Sequence, residues 1–226
     1  MRVAFEALPL WRGVAARNPQ ADFFGGIADF GEWQAVMEIT GTWDPANPGP
    51  TGNLADLPRA QWVTGPGSVY IMAPFAFRQP GRFGNGGYGV LYAALDEATA
   101  VAELAGSRLR FLREGRIARA TLDNQMLRLT LAGELEDARP LFADVSAIYQ
   151  PDDWAAGQSY GAGIRAAGAS GIAYASVRNL GGECVAGFRP DLFSHCRPGG
   201  TVQLFWDGNH LLGPGGRLLQ GPPGTP

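Results

Sequence analysis

Lysine is absent from this 226-residue chain; all 18 basic residues are arginine. That excludes a Schiff-base lysine and a Walker-type loop, so any phosphate must be held by arginine, a backbone nest or a helix terminus. Cysteine and histidine are scarce, with two of each. Cys184 and Cys196 make no disulfide framework, and with His195 they lack the four ligands and the spacing of a closed zinc site. Free thiols and no metal are expected. No run reaches the ~18 apolar residues of a membrane span. The N-terminal MRVAFEALPLW carries Glu6 and Pro9 where a secretory leader would be apolar, so it is not read as one. A cytoplasmic protein is expected. The net charge of −3 offers no basic field for nucleic acid or an anionic membrane.

What is present is ordinary globular composition. Hydrophobic residues make up 46 % and charged residues 17 %, which excludes a wholly disordered chain. The length suffices for one sizeable domain with an extension, with a core that needs no staples. The arginine bias, with abundant Ala, Gly and Pro, is read as coding bias in a GC-rich genome.

Residues 1–65 read as an N-terminal extension packed on the core. Within it, ADFGEWQAVMEIT spaces Phe30, Trp33, Val36 and Met37 near helical period, and the Pro/Gly-rich GTWDPANPGPTGNLADLP reads as loop. The main domain is expected over 66–210, opening with GSVYIMAPFAF (67–77) as a β-rich strand. GVLYAAL (89–95) has buried-strand length, and DEATAVAELAGSRLRFL (96–112) reads as a helix with Asp96 as N-cap and Glu97 at its positive end. MLRLTLA (126–132) alternates like a strand, and DDWAAGQSYGAGIRAAG (152–168) reads as helix despite its glycines. Strands follow at 171–177, 183–190 and 201–208, and residues 211–226 have the composition of a flexible tail. Short mixed strands and helices without regular βαβ alternation imply an α+β fold.

The glycines at 84, 86, 87 and 89 spell G-x-G-x-x-G. The dinucleotide motif needs a helix opening directly after the glycines, and a strand follows here, so a Rossmann loop is rejected. On local grounds the cluster is a hairpin tip. Glu103 has Thr99, Ala100, Gly106 and Ser107 at helical neighbour positions. A carboxylate among small residues on a packed helix either faces a cleft or snorkels to water, and pattern alone favours the second. Ser176 ends a β-run but lacks the G-x-S-x-G elbow, and with only His195 and His210 available a Ser-His-Asp triad has no spacing support. Arg82 and Arg178 are each capable of clamping a phosphate, though a lone arginine is more often a surface residue.

Together these residues resemble the RES family, named for arginine, glutamate and serine, the toxins of RES–Xre toxin–antitoxin pairs. The resemblance rests on GRF (81–83), GVLYAA (89–94), AVAE (100–103), GIAYASVRNLGGECVAGFRP (171–190) and FWDG (205–208), in that order. It covers roughly 66–210 and matches Arg82, Tyr92, Glu103 and Ser176 to the family's arginine, tyrosine, glutamate and serine. It implies a fold like the ADP-ribosyltransferase toxins, with NAD⁺ as substrate and its nicotinamide–ribose bond broken. The activity implied is NAD⁺ depletion by hydrolysis or phosphorolysis, or alternatively mono-ADP-ribosylation of a protein of nucleotide metabolism. A catalytically inactive binding module is the third possibility. The implied partner is an Xre-like helix-turn-helix antitoxin that blocks the cleft. The implied roles are Glu103 against the oxocarbenium charge, Arg82 on a diphosphate or ribose oxygen, Tyr92 stacking, and Ser176 bonding the ribose or orienting Glu103.

Overall fold

The computed structural model describes residues 1–16, 54, 56–143 and 146–220. In chain order its regular elements are β1 (Arg2–Ala15), α1 (Ser68–Ala76), β2 (Pro80–Gly81), β3 (Gly84–Asn85), β4 (Leu91–Ala94), α2 (Glu97–Glu114) and β5 (Ala120–Asp137). Then come α3 (Ala155–Ala166), β6 (Gly171–Ala175), β7 (Glu183–Gly187), β8 (Phe193–Trp206), β9 (Leu211–Leu212) and β10 (Leu218–Gln220). The fold is α+β, a mixed sheet with helices on both faces.

The sheet runs β1-β4-β7-β6-β5-β8-β9-β10, and β1 also pairs with β5. The strands β1, β4, β7, β6 and β5 therefore form a closed ring. It is weakly sealed at one point: β1 meets β4 only through Trp11 opposite Ala94. The 18-residue β5 pairs with β8 over Ala120–Leu131 and, in parallel, with β6 at Glu136 and Asp137. A bulge between Phe5 and Leu8 of β1, opposite the turn of β5 at Gly133, accompanies this change of partner.

Alternation along the strands divides the core in two. On one face Leu91, Leu127, Leu129, Leu131, Val185 and Phe193 pack under α1. On the other, Ala94, Met126, Ile172, Tyr174, Cys184 and Ala186 pack under α2 and α3.

Local chemistry explains most elements. Asp96 caps α2, its carboxylate accepting from the Thr99 backbone N–H at 2.8 Å and the Thr99 hydroxyl at 2.6 Å. The α3 glycines have a packing reason. A Cβ on Gly157 would lie 2.5 Å from the Arg82 carbonyl oxygen, and one on Gly161 2.3 Å from that of Phe83. These two glycines, four apart, let the helix rest on the Arg82–Phe83 backbone.

Two expectations are corrected and one is made more specific. GSVYIMAPFAF is helix rather than strand: Ser68, Ile71, Met72, Phe75 and Ala76 are buried, a helical spacing hidden because the remaining positions are also largely apolar. Within the stretch expected as an extension packed on the core, residues 2–15 form β1, a member of the central ring. Residues 211–220 are not a free tail, since β9 pairs with Phe205 and Trp206 of β8 and β10 pairs with β9. The helix expected over 28–40 and the loop residues 41–53 lie outside the described residues, as do 221–226.

Candidate active site

Where β1 and β4 barely touch, a cavity of about 420 Å³ opens. Its lining comes from both faces of the sheet: Trp11, Ala94 and Leu104 from the α2 side, and Arg12, Phe77 and Ala93 from the α1 side. This is within the roughly 300–1,000 Å³ of small-molecule clefts.

Glu103 stands on the α2 wall, half-buried, beside Ala100, Leu104, Gly106 and Ser107 of the same lining. Of the two sequence readings, the cleft-facing one is observed. Its Oε1 accepts a hydrogen bond from the Ser176 hydroxyl at 2.6 Å. The Ser176 oxygen in turn accepts from the backbone N–H groups of Arg178 (3.1 Å) and Asn179 (3.0 Å). Both lone pairs are occupied, so the single hydroxyl proton is directed at the carboxylate. Ser176 is 1 % exposed and is not part of the cavity wall. The turn after Ser176 is itself held, as Asn179 donates through its side-chain amide to the Thr99 hydroxyl at 2.8 Å.

Arg82 and Tyr92 also line the cavity. Arg82 is 8 % exposed, and its Nη1 donates to the carbonyls of Ile148 (3.0 Å) and Gln150 (2.8 Å). One arm of its fork is thus spent on holding the 148–150 segment. The Tyr92 hydroxyl accepts from the Phe83 N–H at 2.9 Å, and burial pushes the phenol well above its ordinary value. The Gln158 amide donates to the Gly81 carbonyl at 3.1 Å, tying α3 to the same hairpin. The glycines at 84, 86, 87 and 89 do not line the cavity; a Cβ on Gly89 would sit 2.4 Å from the Phe75 Cα, so its role is packing against α1.

Among the described residues, five arginines reach the wall: Arg12, Arg82, Arg108, Arg110 and Arg178. Arg178 donates to the Pro151 carbonyl and Asp152 Oδ1, both at 3.0 Å. Arg110 stacks 3.9 Å over the Trp154 ring, and Arg108 donates to Asn124 Oδ1 at 3.0 Å. Against this positive lining Glu103 is the one carboxylate of the wall among the described residues. Of the four residues named from the sequence, Arg82, Tyr92 and Glu103 line the cavity and Ser176 bonds Glu103 from behind its wall; Arg12, Arg108 and Arg110, which also line it, were not singled out from the sequence.

The remaining candidates do other work. His195 bonds Ser194 and His210 bonds Asp207, and neither histidine bonds Ser176. Cys184 lines the cavity, but burial raises its thiol far above its usual range, so it stays protonated. Both cysteines are free and buried. Among the described residues no group of three or more His, Cys, Asp or Glu is placed to hold a metal ion. Among the same residues no helix is long and apolar enough to cross a membrane.

Comparison with known proteins bears on what this site belongs to. No curated protein matches the chain. A chain of the crystal structure of the M. tuberculosis MbcT–MbcA toxin–antitoxin complex is similar over 90 % of this chain and 86 % of that one, at 11 % identity and a TM-score of 0.48. The family model described as "RES domain" matches residues 56–207, well over half of the sequence and inclusive of Arg82, Tyr92, Glu103 and Ser176. The chain belongs to the RES-domain family.

Proposed function

We propose that this chain is the toxin of a toxin–antitoxin pair and that it consumes NAD⁺ by breaking the nicotinamide–ribose bond. The observation that carries the reading is Glu103: a lone carboxylate on an arginine-rich cavity wall, held by a serine hydroxyl whose own orientation is set by two backbone N–H groups. An NAD⁺ molecule carries both charges such a wall suits, a diphosphate for arginine and a ribose that becomes cationic as nicotinamide leaves.

In the reaction the C–N bond breaks with its electron pair going to nicotinamide, which departs neutral. The ribose C1′ gains oxocarbenium character. Glu103 stabilises that charge and bonds ribose hydroxyls, as carboxylates do in glycoside cleavage. Ser176 keeps the carboxylate in place, Tyr92 offers an aromatic face, and the free part of the Arg82 fork meets a substrate oxygen. Water or phosphate then adds at C1′ and loses a proton, giving ADP-ribose or its 1-phosphate. An antitoxin with an Xre-like helix-turn-helix domain would act by covering this cleft.

The test is to incubate the purified chain with NAD⁺ labelled in its adenylate half, with and without phosphate and cell extract. Release of nicotinamide with labelled ADP-ribose or ADP-ribose 1-phosphate is the expected result. Label on a protein band would move the reading to mono-ADP-ribosylation. No nicotinamide release under any condition would overturn the enzymatic reading in favour of a binding module.

A further inference from the structure

Helix α2 is hydrogen-bonded to the turn after β6 at Glu103 and again one helical turn earlier. At Glu103 the carboxylate accepts the Ser176 hydroxyl at 2.6 Å. At Thr99, on the same face of the helix, the hydroxyl accepts the Asn179 side-chain amide at 2.8 Å. The Asn179 backbone N–H, at 3.0 Å, is in turn one of the donors that fix the Ser176 oxygen. The turn closes on itself: the Gly182 N–H donates to the Asn179 carbonyl at 2.9 Å, and the Ser176 N–H to the Gly182 carbonyl at 2.8 Å. The residue that Thr99 holds is therefore a residue that aims Ser176.

Thr99 is fully buried, at 0 % exposure. Its hydroxyl donates to Asp96 Oδ2 at 2.6 Å. A carboxylate only accepts, so the Thr99 proton is committed there and its oxygen is left to accept. That gives the Asn179 amide one orientation, with its NH₂ toward Thr99. The cap of α2 does not need this hydroxyl, because Asp96 already accepts the Thr99 backbone N–H at 2.8 Å. A valine would keep that bond and the same shape. The surroundings are fitted to the side-chain contact instead: a Cβ on Gly182 would lie 2.3 Å from the Thr99 hydroxyl oxygen and 3.0 Å from the Asn179 amide nitrogen. Glycine at 182 leaves room for hydroxyl and amide to meet.

We infer that Thr99 is a positioning residue for the reaction, acting through Asn179 to hold the turn that points the Ser176 hydroxyl at Glu103. Which reaction Glu103 serves rests on the NAD⁺ reading above; the hold on the turn does not. Thr99 is not part of the cavity wall. Its effect on turnover passes through Ser176.

The experiment uses the full chain as wild type, Thr99→Val, Thr99→Ser, Ser176→Ala and the double variant Thr99→Val/Ser176→Ala. It measures kcat and KM for nicotinamide release from NAD⁺, and hydrogen exchange of the Arg178 and Asn179 amides by NMR. Thr99→Val should lower kcat about three- to tenfold with KM unchanged, and Thr99→Ser should stay within about twofold of wild type. The double variant should be no slower than Ser176→Ala, because both changes act on one hydroxyl. The two amides should exchange about tenfold faster in Thr99→Val, in line with one lost hydrogen bond. Wild-type kcat in Thr99→Val, equal losses in the Val and Ser variants, or losses that multiply in the double variant each overturn the inference. If wild type releases no nicotinamide, the NAD⁺ reading fails and exchange decides. Faster exchange in Thr99→Val but not in Thr99→Ser then upholds the hold on the turn, and unchanged exchange overturns it. Should Thr99→Val not fold, Asn179→Ala removes the same contact from its half-buried side, keeps the backbone N–H to Ser176, and carries the same expectations.

Discussion

Under α1 the sheet presents Leu91, Leu127, Leu129, Leu131 and Val185 to Ile71, Met72 and Phe75, and buried Ser68 of α1 is a polar exception. Across the sheet, under α2 and α3, the same alternating strands present Tyr92, Tyr174 and Cys184 to a helix that carries Glu103. That second face also holds buried Ser176, Thr99, Asn124 and Arg82. The first face is dense hydrocarbon, whose burial at about 25 cal/mol per Å² is the main source of stability. The second gives up apolar burial for a polar chain, Thr99–Asn179–Ser176–Glu103, in which every link is hydrogen-bonded. One face holds the fold together, and the other positions a carboxylate over a cavity. The two meet where β1 and β4 part.

That division is open to test by single substitutions. The largest effect is expected on the cleft side. Glu103→Gln keeps the shape and removes the charge, and should lower NAD⁺ turnover about 10²- to 10³-fold, or roughly 3–4 kcal/mol, while leaving the melting temperature near wild type. Turnover within a few-fold of wild type would detach Glu103 from the chemistry. On the opposite face, Leu127→Ala empties a fully buried site. It should cost about 3 kcal/mol of stability by denaturant titration, with kcat of the folded protein unchanged. A loss of kcat at temperatures where the variant is folded would show that the faces are not separate.

Ser176→Ala probes the link between them. The Arg178 and Asn179 N–H groups lose their acceptor, so stability should fall by about 1–2 kcal/mol. As a positioning residue, Ser176 should also lower kcat about tenfold with KM unchanged; an unchanged kcat would reduce it to a structural serine.

The smallest effect is expected at the far end of β8. Asp207 accepts the backbone N–H groups of Asn209 and His210, which hold its carboxyl down to about 2. A depressed carboxyl stabilises the fold above its ordinary value and loses that contribution as pH falls through the lowered one. The melting temperature of Asp207→Asn should therefore decline less steeply than wild type on acidification from about pH 4 to 2, with NAD⁺ turnover unaltered.

How far the sequence carried depended on whether its signals were local. The α2 helix was legible because Asp96 and Glu97 mark its start and its apolar spacing is clean. For Glu103 the small helix neighbours left two readings open, with pattern alone favouring water, and it was the resemblance to the RES family that singled it out. The α1 helix was not, since an almost wholly apolar segment has no polar side to reveal its period. The bulge in β1 moves the inward positions from Val3 and Phe5 to Leu8 and Leu10, and this phase change concealed a central strand and the arginine it brings to the cavity wall. The β9–β10 hairpin was concealed by a Gly- and Pro-rich composition that also describes a free tail.

By itself the sequence determined the α+β class, the absence of lysine chemistry, and the segment that places Arg82, Tyr92 and Glu103 on a hairpin, a strand and a helix in succession. Those follow from residue type, local period and capping, which act over a few residues. Only the tertiary structure decided that Ser176, 73 positions beyond Glu103, bonds its carboxylate, that the Arg82 Nη1 is spent on the 148–150 backbone, and that Arg12 reaches the cavity wall. Those depend on which strands close the ring and where it fails to seal, and long-range pairing of that kind is chosen by the whole core at once.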